Sequence, residues 1–172
     1  MKWFTSDLHL FHKNILNFTN RAYKSVEQMN SGIIQHWNDT VGNKDTVYHL
    51  GDFSFGTWQE TLEVISKLRG KKMFLKGNHD NKWYDKIKGF EELYNFKLLG
   101  HYHEMKMSKK SYVLFHYPIE SWHQKNRGSI HLHGHTHGNN SHHANQLSNR
   151  YDVGWDVYDK LVTIEEILNN GQ

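Results

Sequence analysis

Ile130-His131-Leu132-His133-Gly134-His135-Thr136-His137-Gly138 joins a short alternating run to a turn bracketed by two glycines. The period-two alternation reads as a β-strand over 130–133, with His131 and His133 sharing one face. Packing or solvent accounts for those two. Gly134 and Gly138 then supply the dihedral freedom or close backbone approach that a side chain would block. The turn carries His135 and His137, so a strand delivers two imidazoles to its own carboxyl end.

The same arrangement recurs along the chain. Trp3-Phe4 opens a strand followed by Ser6-Asp7-Leu8-His9, and Thr46 to Leu50 forms one followed by Gly51-Asp52. Met73-Phe74-Leu75 leads into Gly77-Asn78-His79-Asp80, and Tyr112 to Phe115 leads into His116. Phe96 to Leu99 and Tyr102 to Met107 are read as a hairpin around Gly100, and Tyr151 to Val153 as an edge strand. Helical spacing links Val26, Met29, Ile33, Ile34 and Trp37 behind a capping box of Ser25 and Gln28. Thr57 with Glu60 and Thr163 with Glu166 repeat the box, and Gly70 follows the end of the second helix. Strands alternating with helices indicate an α/β domain. The pattern fits a single doubly wound sheet as well as two packed sheets.

With 172 residues and no linker-like segment, residues 1–172 are expected to form a single domain. The absence of cysteine excludes disulfides, thiolate metal sites and cysteine nucleophiles. No apolar run reaches the ~18 residues of a membrane span, and the N-terminus lacks a signal-peptide core. The mean hydropathy is -0.82, and a cytoplasmic protein without membrane partners is expected. A formal charge of +3 is too mild for a dedicated nucleic-acid stripe. The basic run Lys67, Arg69, Lys71 and Lys72 reads as a solvated helix end. Histidine is the outlier, with 15 in the chain and seven between His123 and His143. His142 and His143 are expected to face water.

In open α/β sheets, ligands bind beyond the carboxyl ends of the strands, so the five motif turns are expected to converge. Converged, they offer carboxylates, an amide oxygen and imidazoles without thiolate. That donor set suits Mn, Fe, Zn, Ni or Co and is poor for Ca or Mg alone. The donors suffice for two ions, the arrangement used to hydrolyse phosphate esters. Singly, Asp52 beside Gly51 reads as a turn, and Asn78 as a loop residue after Gly77. In order, each after a strand, they read as one site.

Asp7-x-His9, Gly51-Asp52, Gly77-Asn78-His79-Asp80, His116 and Gly134-His135-Thr136-His137 resemble the five ordered motifs of the calcineurin-like metallophosphoesterases. The resemblance spans residues 7 to 138 and the compact bacterial and phage-type members in size. It implies two mixed β-sheets packed as a sandwich flanked by helices. It further implies two divalent transition-metal ions, manganese foremost. Asp7, His9, Asp52 and His137 would hold the first. Asp52 would bridge to the second, held also by Asn78, His116 and His135. His79 would be the catalytic acid, with Asp80 orienting it and raising its pKa through a hydrogen bond. A metal-bridged hydroxide would attack the substrate phosphorus. Phosphodiesters, nucleotides or nucleic acid among them, are favoured as substrates over monoesters and nucleotide polyphosphates. A non-catalytic scaffold is disfavoured, because His79 and all the implied ligands are present. His12, close behind the first motif, and Arg127, before the fifth strand, are candidate substrate contacts, and His123 accompanies Arg127.

Overall fold

The computed structural model describes residues 1–139 and 148–170. His142 and His143 lie outside the described residues. Strands β1 (Lys2–Thr5), β2 (Thr46–His49), β3 (Lys71–Phe74) and β4 (Phe96–Leu98) form one sheet in that order. All three of its pairings are parallel. An antiparallel bridge from Phe4 to Val162 extends its β1 edge. Strands β5 (Tyr102–Met107), β6 (Lys110–Phe115), β7 (Ile130–His133) and β8 (Arg150–Asp152) form the second sheet, also in chain order. There β5 runs antiparallel to β6, and β6, β7 and β8 run parallel. The expected two-sheet α/β architecture is therefore present.

Alternation along each strand divides the core in two. Phe4, Tyr48 and Met73 of the first sheet meet Tyr112, Leu114, Ile130 and Leu132 of the second, making the layer between sheets. Val47 and Phe74, one residue out of phase, point the other way into helices α2 (Val26–Thr40) and α3 (Trp58–Lys67). From α2 come Met29, Ile33 and Trp37, and from α3 Leu62 and Ile65, all buried. Burying each such side chain contributes about 1.5–3 kcal/mol, which outweighs the weak intrinsic stability of short helices. Among the described residues three further α-helices are short: α1 (Ile15–Phe18), α4 (Trp155–Tyr158) and α5 (Ile164–Asn170). Among the described residues no helix is long and apolar enough to cross a membrane.

The reciprocal capping box at Thr57 and Glu60 forms as expected, and Thr163 with Glu166 makes the same pair of bonds. At α2 the box is half made. Ser25 Oγ accepts from Gln28 N, but the Gln28 side chain accepts from Lys24 N instead of Ser25 N.

One expectation fails. Phe96–Leu98 and Tyr102–Met107 do not form a hairpin around Gly100. Leu99 N donates to Phe74 O and Lys76 N to Gly100 O, tying this segment to the first sheet, and Phe96 packs in the helix-side core. The chain then crosses at Gly100 to the second sheet. The true hairpin joins β5 to β6 through Ser108 and Lys109, at φ 48° and 65°. Two successive left-handed residues make the turn whose twist matches paired strands. Its composition, without Gly or Asn, concealed it.

Candidate metal centre

Because β1, β2, β3, β6 and β7 run parallel to a neighbour, their carboxyl ends share one rim of the sandwich. The turn after β1 is zipped to the turn after β2. Asp7 N donates to Gly51 O at 3.0 Å, and His9 N to Asp52 O at 3.1 Å. Sheet two is tied in by His135 N, which donates to Asp7 Oδ2 at 2.9 Å. His116 Nδ1 donates to Leu50 O at 2.9 Å, which leaves its Nε2 facing the rim. These links bring together Asp7, His9, Asp52, Asn78, His79, His116, His135 and His137.

Five of the seven expected ligands sit at left-handed φ: Asp7 57°, His9 52°, Asp52 57°, His135 71° and His137 50°. Such conformations cost on the order of 1–3 kcal/mol each outside glycine and concentrate at functional sites. Each one turns a side chain out of the strand direction and toward the shared centre.

The donor atoms lie close to one another, and the carboxylates are not hydrogen-bonded to the imidazoles beside them. His9 Nε2 is 3.7 Å from Asp7 Oδ1 and 3.7 Å from Asp52 Oδ2. Asp52 Oδ2 is also 3.5 Å from His116 Nε2, so this carboxylate stands between the two imidazoles. His137 Nε2 is 4.0 Å from Asp7 Oδ1. Asn78 Oδ1 lies 2.9 Å from His116 Nε2 and 3.1 Å from His135 Nδ1. Asp7 Oδ1 and His9 Nε2 are buried with no hydrogen-bond partner among the described residues. Leaving such atoms unpaired costs roughly 1–3 kcal/mol apiece, and a shared cation removes the cost. The sets Asp7, His9, His137 and Asp7, Asp52, His116 each bring ligand atoms within 4.8 Å of one another. Donors about 2.0–2.2 Å from one ion stand about 3.4 Å apart in tetrahedral geometry, so the pairs at 3.5–4.0 Å need to close by only a few tenths of an ångström. The residues therefore fit divalent cations.

The electrostatics agree. Burial pushes the Asp7 carboxyl up, yet His9, 3.7 Å away, and the neighbouring imidazoles hold it well below the carboxylate range. Burial likewise opposes ionisation of Asp52, and His116, 3.5 Å away, overcomes it. For His116 burial disfavours the cation, but Asp52 and Asp7 raise its pKa to about 9. A potential negative enough to keep a proton there attracts a metal cation equally. Burial keeps His9 neutral, the form that can ligate.

Asp80 does something other than expected. Its Oδ2 accepts from Asp52 N and Gly77 N, both at 2.8 Å, and its Oδ1 from Phe53 N and Trp83 Nε1, both at 2.9 Å. A carboxylate has about four lone-pair sites, so none remains for the His79 imidazole. Asp80 clamps the β2 and β3 turns together in place of orienting His79. Burial and the Asp52 charge push its pKa up to about 6. His79 stands half-exposed, with Nε2 3.9 Å from Asp52 Oδ2 and its backbone N donating to Asp52 Oδ1 at 2.9 Å.

His12 faces the same rim, stacked on Phe55 at 3.8 Å between ring centroids, and burial lowers its pKa to about 4. Arg127 is not brought to the cluster. It lies exposed on the turn entering β7, the opposite end of that strand from His135 and His137. His123, beside it, pairs with Glu104 at 2.7 Å. His131 and His133 are buried against backbone carbonyls.

Two residues escaped the sequence reading. Asp156 Oδ2 accepts from His137 Nδ1 at 2.7 Å, turning Nε2 toward Asp7. Arg21 holds Asp156 through Nε at 2.7 Å and NH2 at 2.8 Å, and also donates to the carbonyls of Asp7 and Leu8. A carboxylate behind a ligating histidine fixes its tautomer and strengthens it as a donor. Reading the exit of the edge strand as the other exits were read would have flagged Asp156, two residues past Gly154. Arg21 carries no local signal.

The calcineurin-like phosphoesterase family profile matches residues 3–139. An uncharacterized protein of Methanocaldococcus jannaschii is 36% identical over 144 residues, covering 83% of this chain and 69% of that protein. The gene 66 protein of Mycobacterium phage L5 is 31% identical, covering 97% and 92%. Among solved structures, a protein of unknown function from Aquifex aeolicus superposes with TM-score 0.77 at 25% identity over 99% of this chain and 98% of that one. An archaeal phosphodiesterase shares the fold at TM-score 0.51 and 17% identity, over 96% and 94%.

Proposed function

From the premise that this chain belongs to the calcineurin-like phosphoesterase family, and so is a phosphoester hydrolase, we propose that it cleaves phosphodiesters with two divalent transition-metal ions, manganese foremost. Asp7, His9, Asp52 and His137 hold one ion, and Asp52, Asn78, His116 and His135 the other. The observation that carries this is the buried, unpartnered pair Asp7 Oδ1 and His9 Nε2 beside a carboxylate standing between His9 and His116. When bound, the ions supply charge to neutralise the phosphate and to acidify water.

The chain's own groups do the rest. His79 is the most solvent-open of the imidazoles within 4 Å of Asp52, and it donates the proton to the departing oxygen. Asp156 and Arg21 keep His137 in the tautomer that ligates. Asp80 sets the spacing of the turns that carry Asp52 and Asn78.

The test is hydrolysis of bis-p-nitrophenyl phosphate against p-nitrophenyl phosphate, by metal-stripped protein and after adding manganese. Manganese-dependent cleavage of the diester in preference to the monoester is expected. Preference for the monoester would replace the diester reading. Equal rates with and without metal would overturn the metal reading.

A further inference from the structure

Two arms of planar side chains leave the cluster on different sheets. On the first sheet's loops, Phe55 lies 4.7 Å from His79 between ring centroids, stacks on His12 at 3.8 Å, and His12 reaches Phe18 at 6.4 Å. On the second sheet, Tyr117 lies 4.7 Å from His135, Phe115 is 5.5 Å from Tyr117, and Tyr102 is 6.3 Å from Phe115. Tyr102 pairs directly with Phe115 across β5 and β6, and Tyr117 lies two residues past the end of β6.

The ends of these arms are unusual. Among the described residues, Phe18 and Tyr102 are the only aromatic side chains that stand exposed, at 70% and 42%. Every other Phe, Tyr and Trp is at least partly covered. Leaving a ring in water forgoes burial energy, and two such rings each terminate a run that begins at a proposed metal ligand or at His79. Beside the first arm, a cavity of about 480 Å³ is lined by Phe11 and Phe55 and flanked by Lys13 and Lys82, with Glu27 and Glu60 also on its wall and Glu60 engaged by Thr57. Both lysines are exposed.

We propose that the two arms are stacking platforms for the bases of a single-stranded oligonucleotide whose scissile phosphodiester lies at the cluster. This deepens the phosphodiesterase reading and rests on it for the position of the phosphate. Rings on both sides of the centre match a substrate with bases on both sides of the phosphate, which a cyclic mononucleotide lacks. Stacking is tolerant of sequence, because every base has a π-face, and lysines beside the rings meet the flanking phosphates. The acidic neighbour of the second arm, Glu104, is occupied by the Tyr102 hydroxyl and His123.

Binding is measured by fluorescence anisotropy of a 5′-labelled oligothymidylate in EDTA at low salt, so the readout does not depend on turnover. Wild-type protein is expected to bind. Tyr102→Ala and Phe18→Ala are each expected to weaken binding about 5- to 100-fold, from the stacking energy of one base. Tyr102→Phe keeps the ring and restores affinity. Leu93→Ala, at an exposed residue away from both arms, serves as control and leaves it unchanged. With metal, the alanine variants raise KM for the oligonucleotide more than they lower kcat. No wild-type binding, or alanine variants with wild-type affinity, would overturn the proposal. Cleavage of bis-p-nitrophenyl phosphate without oligonucleotide binding defeats this inference and leaves the phosphodiesterase standing. Binding with ring-dependent affinity but no ester hydrolysis under any metal upholds the platforms and defeats the catalytic reading.

Discussion

Replacing Gly77 with alanine tests how closely the β2 and β3 turns must approach. A Cβ at that position would lie 2.1 Å from Asp52 Oδ1, 2.4 Å from Asp52 N and 2.9 Å from Asp52 Cγ. The carboxylate could swing aside, but the backbone nitrogen is held by Asp80 Oδ2 at 2.8 Å. The turns must therefore separate by about 1 Å, which overpacking data put at roughly 1–3 kcal/mol. Separation also breaks the bond from His79 N to Asp52 Oδ1, a hydrogen bond to a charged acceptor contributing about 1.5–3 kcal/mol. Gly77→Ala is thus expected to lose about 3–5 kcal/mol of stability, read from urea denaturation in EDTA. Because Asp52 stands between His9 and His116, the same shift should reduce manganese affinity at both sites, and diester turnover by about 100-fold. Gly42→Ala is the control. Its Cβ meets Asp45 Oδ2 at 3.5 Å, an ordinary contact, so stability should change by less than about 0.5 kcal/mol and turnover not at all. A Gly77→Ala protein with the wild-type urea midpoint and wild-type manganese affinity would refute the reasoning.

Asp156→Ala should weaken manganese binding about 10- to 100-fold by calorimetry, since His137 loses the partner that sets its tautomer. It should also cost about 3–5 kcal/mol, because Arg21 is left buried without its carboxylate; unchanged affinity would remove Asp156 from the site. His79→Ala should lower kcat on bis-p-nitrophenyl phosphate about 10²- to 10⁴-fold with metal stoichiometry unchanged, and loss of metal instead would make it a ligand. Lys72 is buried with Nζ donating to Leu68 O, and burial lowers its pKa to about 8 from 10.5. Below about pH 8 it is charged in both states and its burial costs stability. Between about pH 8 and 10.5 the unfolded chain holds the extra proton, so stability rises with pH through that window. Lys72→Met should therefore be the more stable protein at pH 7, by about 1–2 kcal/mol after allowing for solvent screening. That advantage should shrink toward pH 10.5, and a difference that is flat with pH counts against the burial account.

How much of the molecule was readable in advance follows from the range of the interactions involved. A strand exit such as Leu75-Lys76-Gly77-Asn78-His79 is local, and its glycine, its candidate ligand and its strand lie within a few residues. That is why the five turns, and the helices capped by Thr57 and Thr163, could be taken from the chain alone. Pairing of strands is not local. Phe96–Leu98 and Tyr102–Met107 are neighbours in sequence with a glycine between them, yet they belong to different sheets. The deciding contacts are Leu99 with Phe74 and Tyr102 with Phe115, and no short-range pattern encodes them.

The residue types of the centre, and the order in which strands deliver them, were determined by the sequence, because each candidate ligand follows its strand directly. Only the tertiary structure decided what stands behind them. Asp80 turned out to spend both oxygens on backbone and indole donors, and Asp156 reached His137 from 19 positions away. The left-handed dihedrals at Asp7, His9, Asp52, His135 and His137 are likewise a tertiary outcome. Asp and His tolerate that conformation better than most side chains, but still at a cost. It is held because two zipped turns and two packed sheets over-determine it, and that constraint exists only once the chain is folded.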